Sequence, residues 1–497
     1  MSFISSQFIL FFVLVATLYF VLQHKFRWIL LLLASCVFYM AFIPKYIFVL
    51  FFLIVVDYFM AILMDKKKGK VRKLFLWASI LSTITILFIF KYFDFFVINS
   101  TALARFLHWK YSIDFLNIIL PLGLSFHTFQ SLAYVIEVYR KNYKVERNFG
   151  IYSLYVMFFP QLVAGPIERP GHLLPQFYKE HHFEYNRVVS GLRLVLFGYF
   201  QKVVIADRLA IVADNVYGNP YNFEGYALIF ATIAFSFQIF CDFAGYSNIA
   251  IGTARILGFN LVKNFDNPYS SRTISEFWNK WHMSLYSWFR DYLYIPLGGN
   301  RLGKTRQLLN ILIVFLVSGL WHGANWTFVA WGGLNGIYLV AYSLTQNFRE
   351  KILSSVRLTR LESLYHAVEV LITFSLITFS WILFRAKDFN EAGYIIGHLF
   401  SGLEGTIAVF KNYSLNQFLI DVTQRQLLLG LPILDIFIVL LAIIFMQYVF
   451  FIQSRSNIQK EFSARPIALR WSFYYLALIV ILYYVSTSQP QFIYFQF

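Results

Sequence analysis

A histidine at position 322 lies between Trp321 and Gly323 in the run SGLWHGANWTFVAWGG, Ser318 to Gly333. A second, His282, lies forty residues earlier in EFWNKWHMSLYSWFRDYLYIPLGGNR. Imidazole titrates near neutrality and can take a proton from a hydroxyl, which is the work of a general base. Read as a helix, the first run puts Gly319 and Gly323 four apart on one face, where small residues let another backbone come close. Ser318 and Asn325 then fall within a turn of His322 and can orient its ring. The alternative is a histidine hydrogen-bonded between helices. An ionisable group kept in apolar surroundings is costly, which makes function the working reading.

His282 has a different setting. Thr273 and Glu276 form a T-x-x-E capping box, which predicts a helix start. On that helix Trp278, His282, Leu285 and Phe289 share a face. With Trp281 and Trp288 nearby, it reads as a helix lying in, or dipping into, a membrane interface. The alternative is an aromatic belt carrying an incidental histidine. Asp242 has Gln238 and Tyr246 four residues to either side. For Asp242, Asp57, Glu137 and Lys202 the first reading is a structural network of paired groups. His127 reads as helix packing, and His24, His108, His172, His181, His182, His366 and His398 receive no role. There is no metal-ligand spacing, no Gly-rich phosphate loop and no G-x-S-x-G elbow. An enzyme built this way works by positioning and acid–base help, with no metal or bound cofactor.

The elements that must hold these residues are membrane helices. Of 497 residues 59% are hydrophobic and 13% charged, and mean hydropathy is +0.61. Soluble domains carry about 25% charged residues. Apolar runs recur along the chain without the alternation of a barrel, so the chain is expected to be an all-α polytopic membrane protein. The net charge of +17 does not point to nucleic acid, because the basic residues sit in short loops. HKFR, DKKKGKVRK, RKNYKVERN and the interval Arg255 to Arg306 are placed inside by the positive-inside rule, which puts the N-terminus outside. The first apolar run, Phe8 to Leu22, has no basic residue before it and is read as a retained helix rather than a signal peptide. Cys36 and Cys241 fall in apolar stretches and are read as buried thiols without a disulfide.

In order, helices are expected at Trp28–Phe42, Ile47–Met64, Leu74–Phe90, Phe115–Tyr139, Val188–Ile205 and Ala227–Ala250. A broken pair follows over Leu308–Leu344, then a basic segment with Arg349, Lys351, Arg357 and Arg360. The last helices are placed at Val368–Phe384, Leu431–Ile452 and Trp471–Val485. The run Ile151–Ala164 is short enough to be re-entrant or interfacial, and Pro166 and Pro170 argue against regular helix beyond it. Asp207, Asp214 and Glu224 are assigned to an outside loop. No internal repeat or soluble domain is evident. Residues 1–497 read as a single membrane domain, with N-terminal helices over 1–140, a core over 141–345 and C-terminal helices over 346–497.

Five stretches resemble the membrane-bound O-acyltransferase family, and within it the alginate O-acetyltransferase branch, in order and spacing. They are LPLGLSFHTFQSLAYVIEVYR, FPQLVAGPIERP, DFAGYSNIAIG, FWNKWHMSLYSWFRDYLYIPLGGNR and SGLWHGANWTFVAWG. The terminal FIYFQF is similar to that branch too. The resemblance implies about 11–12 membrane helices, with re-entrant or interfacial helices, around a central tunnel. It implies His322 as the embedded catalytic histidine and His282 as the second active-site position. Trp321, Asn325, Ser318, Arg290, Asp291 and Asp242 fall in the same motifs and are carried as substrate or tunnel candidates. Cys241 and Ala244 depart from the family pattern, which bears on the tunnel lining and not on the histidine pair.

What the resemblance implies for function is acetyl transfer from a cytoplasmic thioester, acetyl-CoA or an acylated carrier, towards an exported polysaccharide. A periplasmic or extracellular acetyltransferase partner would complete that transfer, and the place would be a bacterial inner membrane. Peptidoglycan O-acetylation is the alternative within the family. Teichoic acid D-alanylation fits less well, because those proteins are generally shorter. A transporter is the alternative outside the family, but it calls for paired interrupted helices, and only one interrupted pair is visible.

Overall fold

The computed structural model describes residues 1–109, 113–163, 165–355, 362–402, 429–456, 458–485 and 492–493. Ala164, Arg357, Arg360 and the last four residues of FIYFQF lie outside the described residues.

The chain runs through α1 (Ser6–Val21), α2 (His24–Met40), α3 (Ile47–Asp65), α4 (Gly69–Leu87), α5 (Phe93–Phe106), α6 (Leu124–Arg140) and α7 (Phe149–Met157). It continues with α8 (Pro170–Phe177), α9 (Tyr185–Tyr199), α10 (Asp207–Gly218), α11 (Tyr226–Leu257), α12 (Ile274–Lys280) and α13 (Met283–Phe289). Then come α14 (Lys304–His322), α15 (Trp326–Leu344), α16 (Gln346–Ser355), α17 (Glu362–Arg385) and α18 (Phe389–His398). The last three are α19 (Ile433–Arg455), α20 (Ile458–Ser463) and α21 (Ile467–Val485). No β-strand occurs among the described residues. Eight helical stretches there are long and apolar enough to cross a membrane, and α1 is a shorter apolar helix. Large apolar side chains point outward, as on Leu10 (72% exposed) and Phe48 (74%). A surface of that kind suits hydrocarbon rather than water.

Several boundaries differ from the sequence expectations. The helix expected from Phe115 begins only at Leu124. Pro121 explains this, since it has no N–H to give and pushes the residue before it towards extended backbone. The helix expected to stop at Phe90 continues through a π-helical turn, Phe88–Tyr92, into α5. Pro170, expected to preclude a helix, opens α8 at its first position, where its missing N–H would have had no partner anyway. Asp207 and Asp214, expected in a loop, lie in α10. Both cysteines are free, but only Cys241 is buried, while Cys36 is partly exposed.

The chain packs as two compact units. The first comprises Met1–Val195, Tyr246–Asn264 and Arg290–Tyr292. Its core holds Asp57 of α3, fully buried, which accepts hydrogen bonds from Ser79 (2.5 Å), Thr83 (3.5 Å) and Ser131. Ser131 also meets the Tyr152 hydroxyl at 2.8 Å. The expected structural role of Asp57 thus has its partners: three helices and α7 are tied through one carboxylate. Glu168 is also buried. Its carboxylate accepts the Val262 N–H at 2.7 Å and meets His172 Nδ1 at 2.6 Å. The Glu168 contact raises the His172 ring above its ordinary range, and burial opposes that rise. His172, given no role from sequence, belongs to this knot.

The second unit comprises Leu196–Gly245, Phe265–Phe289 and Leu293–Phe497. A π-helical stretch, Phe200–Ala206, joins α9 to α10. It brings residues five apart into register. Lys202 Nζ lies 2.8 Å from Asp207 and 2.7 Å from Asp242, and all three side chains are buried. Asp242 also accepts the Ile493 N–H at 2.8 Å. Nearby in this unit, Arg208 of α10 approaches Asp435 of α19 at 3.9 Å, and Tyr484 of α21 donates to Asp435 at 3.0 Å.

Candidate active site

Thr273 caps α12 by accepting the Glu276 N–H at 3.1 Å, and Lys280 reaches the Glu276 carboxylate at 2.7 Å. The Thr273 cap therefore forms as expected, while the Glu276 carboxylate reaches back one residue further, to the Arg272 N–H at 2.8 Å. The long helix expected after it does not form. Helix α12 ends at Lys280, Trp281 is extended, and His282 takes φ 43° before α13 begins at Met283. A left-handed backbone is uncommon for a non-glycine residue and is a mark of functional or constrained positions. From this corner the His282 carbonyl accepts the N–H groups of Leu285 and Tyr286, both at 3.0 Å. The shared face proposed for Trp278, His282, Leu285 and Phe289 thus belongs to two short helices and the turn between them.

The His282 side chain is buried at 2% exposure. Its ring meets Phe243 edge-on at 4.6 Å and lies parallel to Phe265 at 6.3 Å. Burial pushes this imidazole down to about 3, so it is neutral across the physiological range. A neutral imidazole offers one donor and one acceptor.

His322 is the last residue of α14, and Gly323 leaves the helix in extended conformation. Its ring is packed by Trp321 (4.8 Å), Trp331 (5.1 Å) and Phe384 (5.5 Å). Helices α14 and α15 cross in backbone contact. A Cβ on Gly319 would meet the Phe328 carbonyl oxygen at 2.2 Å, and one on Gly332 would meet that of Phe315 at 2.2 Å. Of the expected pair, then, Gly319 does let a backbone approach, while Gly323 abuts the Phe328 ring. Gly319→Ala should destabilise the protein by about 1–3 kcal/mol through overpacking. A lowered Tm in detergent, together with reduced activity, is the expected observation.

One cavity of about 370 Å³, counted to its open mouth, takes both His282 and His322 into its wall. Ser318, Trp278, Tyr286 and Phe289 also line it. It is small, largely apolar, and carries few polar groups, as small-substrate sites do.

The remaining sequence candidates divide. Ser318 shares the cavity with His322. The Trp321 ring is 4.8 Å from that of His322 and 6.4 Å from that of His282. Asn325 has partners on α15 and beyond it. Its side chain accepts the Thr327 N–H at 3.1 Å to cap α15 and donates to the Lys387 carbonyl at 2.7 Å. Asn325→Ala should cost about 1 kcal/mol in stability, as cap losses do, and leave most of the activity. A thermal melt beside an activity assay checks this. Asp242 belongs to the Lys202 cluster and is not among the cavity-lining residues. Arg290 and Asp291 fall in the first unit, where Asp291 pairs with Arg290 (2.9 Å) and Arg169 (3.2 Å). Sequence reasoning missed Trp381 and Phe384, which complete the aromatic packing with Trp331. No local spacing links these α17 residues to the histidine motifs.

Residues 148–384 match the sequence model of MBOAT, the membrane-bound O-acyltransferase family. That segment contains both histidines. The chain is 31% identical to the probable alginate O-acetylase AlgI of Pseudomonas putida, over 97% of this chain and 96% of the other. It is 32% identical to the peptidoglycan O-acetyltransferase of Helicobacter pylori, over 80% and 78% respectively. Identity falls to 26% against the teichoic acid D-alanyltransferase of Bacillus subtilis, over 55% of this chain and 71% of that protein.

The chain belongs to the membrane-bound O-acyltransferase family.

It is therefore a multi-pass membrane enzyme that transfers acyl groups, as the sequence motifs implied, and the cavity described above is the natural candidate for its chemistry. For an O-acyltransferase, the two imidazoles and the flanking hydroxyls are the groups able to move a proton during ester formation.

Proposed function

We propose that this acyltransferase carries an acetyl group from a cytoplasmic thioester, acetyl-CoA or an acylated carrier, to O-acetylate an exported polysaccharide such as alginate. The observation that carries this reading is the near end-to-end similarity to the Pseudomonas putida alginate O-acetylase. In the proposed reaction His322 takes the proton of the acceptor hydroxyl as its oxygen attacks the thioester carbonyl. The carbon–sulfur bond then breaks, and the thiolate leaves with that proton. The carbonyl end of α14 favours the imidazolium formed in between. His282, neutral in its aromatic pocket, orients the reacting groups by hydrogen bonding. Neither step needs a metal or bound cofactor.

The placement is that of the inner membrane of a bacterium, within a single membrane domain, with the N-terminus outside and the basic loops in the cytoplasm. A tunnel would admit the donor from one face and the acceptor from the other. A periplasmic or extracellular acetyltransferase would complete modification of the polymer. Similarity to the Helicobacter pylori enzyme supports a second reading, in which the acceptor is peptidoglycan. Deleting the gene and quantifying O-acetyl esters on exported polysaccharide and on muropeptides separates the two. Loss from the polysaccharide alone supports the first reading. Loss from muropeptides alone supports the second, and loss from neither rejects both.

A further inference from the structure

Attack on a thioester carbonyl places negative charge on the acyl oxygen, and preorganised donors for that oxygen supply much of an acyl-transfer enzyme's rate. The residues lining the cavity include no lysine or arginine, so apart from the imidazolium formed at His322 the donors there are neutral groups.

Trp278 is one of the lining residues and is 6% exposed. Its Nε1 is buried without a hydrogen-bond partner among the described residues. The ring is wedged edge-on between Phe315 (5.1 Å) and Trp331 (5.8 Å), which leaves it little freedom to seek an acceptor elsewhere. Trp381, in the same aromatic cluster, shows the ordinary arrangement by donating its Nε1–H to the Tyr269 hydroxyl at 3.1 Å. Buried indole N–H groups usually find such a partner. One left without a partner costs free energy, and in a native structure it asks for an explanation. Trp331 Nε1 is also without a partner there, but Trp331 does not line the cavity.

We infer that the indole N–H of Trp278 is an oxyanion donor, hydrogen-bonding the acyl oxygen while the tetrahedral intermediate exists. The inference rests on the proposed role of the cavity and adds a substrate-contacting group to it. No proton is transferred by the indole. Its hydrogen bond forms as the oxygen becomes anionic and weakens when the thiolate leaves and the carbonyl returns. Trp278 thereby acts on the transition state, leaving binding of donor and acceptor nearly unchanged.

The test compares wild type, Trp278→Phe and a chain with 3-benzothienylalanine at position 278, which keeps the two-ring outline and replaces N–H by sulfur. Each is purified in detergent and assayed for acyl transfer from acetyl-CoA to an oligosaccharide, with His322→Ala alongside. The expected result is a fall in kcat of about 100-fold in both position-278 variants, with KM changed less than a few-fold and Tm near wild type for the sulfur analogue. Wild-type kcat in the benzothienylalanine chain, with His322→Ala inactive, overturns the donor role and leaves the site standing. Full activity in His322→Ala removes the site and the inference together. Loss in Trp278→Phe alone assigns the residue to packing and also overturns the donor role.

Discussion

Alanine at position 322 leaves the enzyme in the membrane and removes acyl transfer. The His322 ring occupies the wall of the cavity that also holds His282. No other imidazole lines it. General-base assistance is worth about 10²–10⁴-fold, so turnover in His322→Ala should fall by at least two orders of magnitude. The fold should withstand the change, because α14 and α15 are held by the Gly319–Gly332 crossing and the Asn325 cap rather than by the ring. Membrane fractionation and a thermal melt report on insertion and folding, and O-acetyl ester release from the polymer reports on transfer. Normal insertion with undiminished acetylation would refute the catalytic role of His322.

Replacing Lys202 by methionine is the second large effect, and it falls on stability. Lys202 Nζ sits within 2.8 Å of both Asp207 and Asp242. Methionine fills much of the space but leaves two carboxylates facing each other in a buried site. Breaking a buried ion pair from one side costs about 3–5 kcal/mol, because the remaining charge has no compensation. We expect Lys202→Met to accumulate poorly and melt well below wild type. The triple variant Lys202→Met, Asp207→Asn, Asp242→Asn should regain part of that loss, since no unpaired charge remains. A wild-type Tm for Lys202→Met would show that the cluster does not hold the second unit together.

How much of this was legible in the sequence depends on the range over which each feature is encoded. Thr273 and Glu276 announce their helix locally, and the break between α14 and α15 is written in Gly323 and Asn325, with only Ala324 between them. Leu120 is apolar like its neighbours, yet Pro121 governs its backbone more strongly than hydrophobicity does. Asp207 resembled a loop residue because a lone acid in an apolar run suggests water. Its partner Lys202 is five residues away, a spacing that ordinary helix reasoning does not pair. The corner at His282 carries no glycine or proline to signal it. The packing of Trp331 against Trp381 joins residues fifty apart in sequence, and only tertiary structure brings them together. The histidines themselves were visible from their motifs, but their common cavity was not.

The left-handed backbone at His282 bears on how this enzyme can be varied. At φ 43°, glycine, asparagine and aspartate share histidine's comparative tolerance, while β-branched and bulky residues are strained. A mutational library that randomises the cavity should therefore confine this site to a short alphabet and let its neighbours range freely. Asparagine there keeps the corner and discards the imidazole, so it distinguishes a loss of chemistry from a loss of shape.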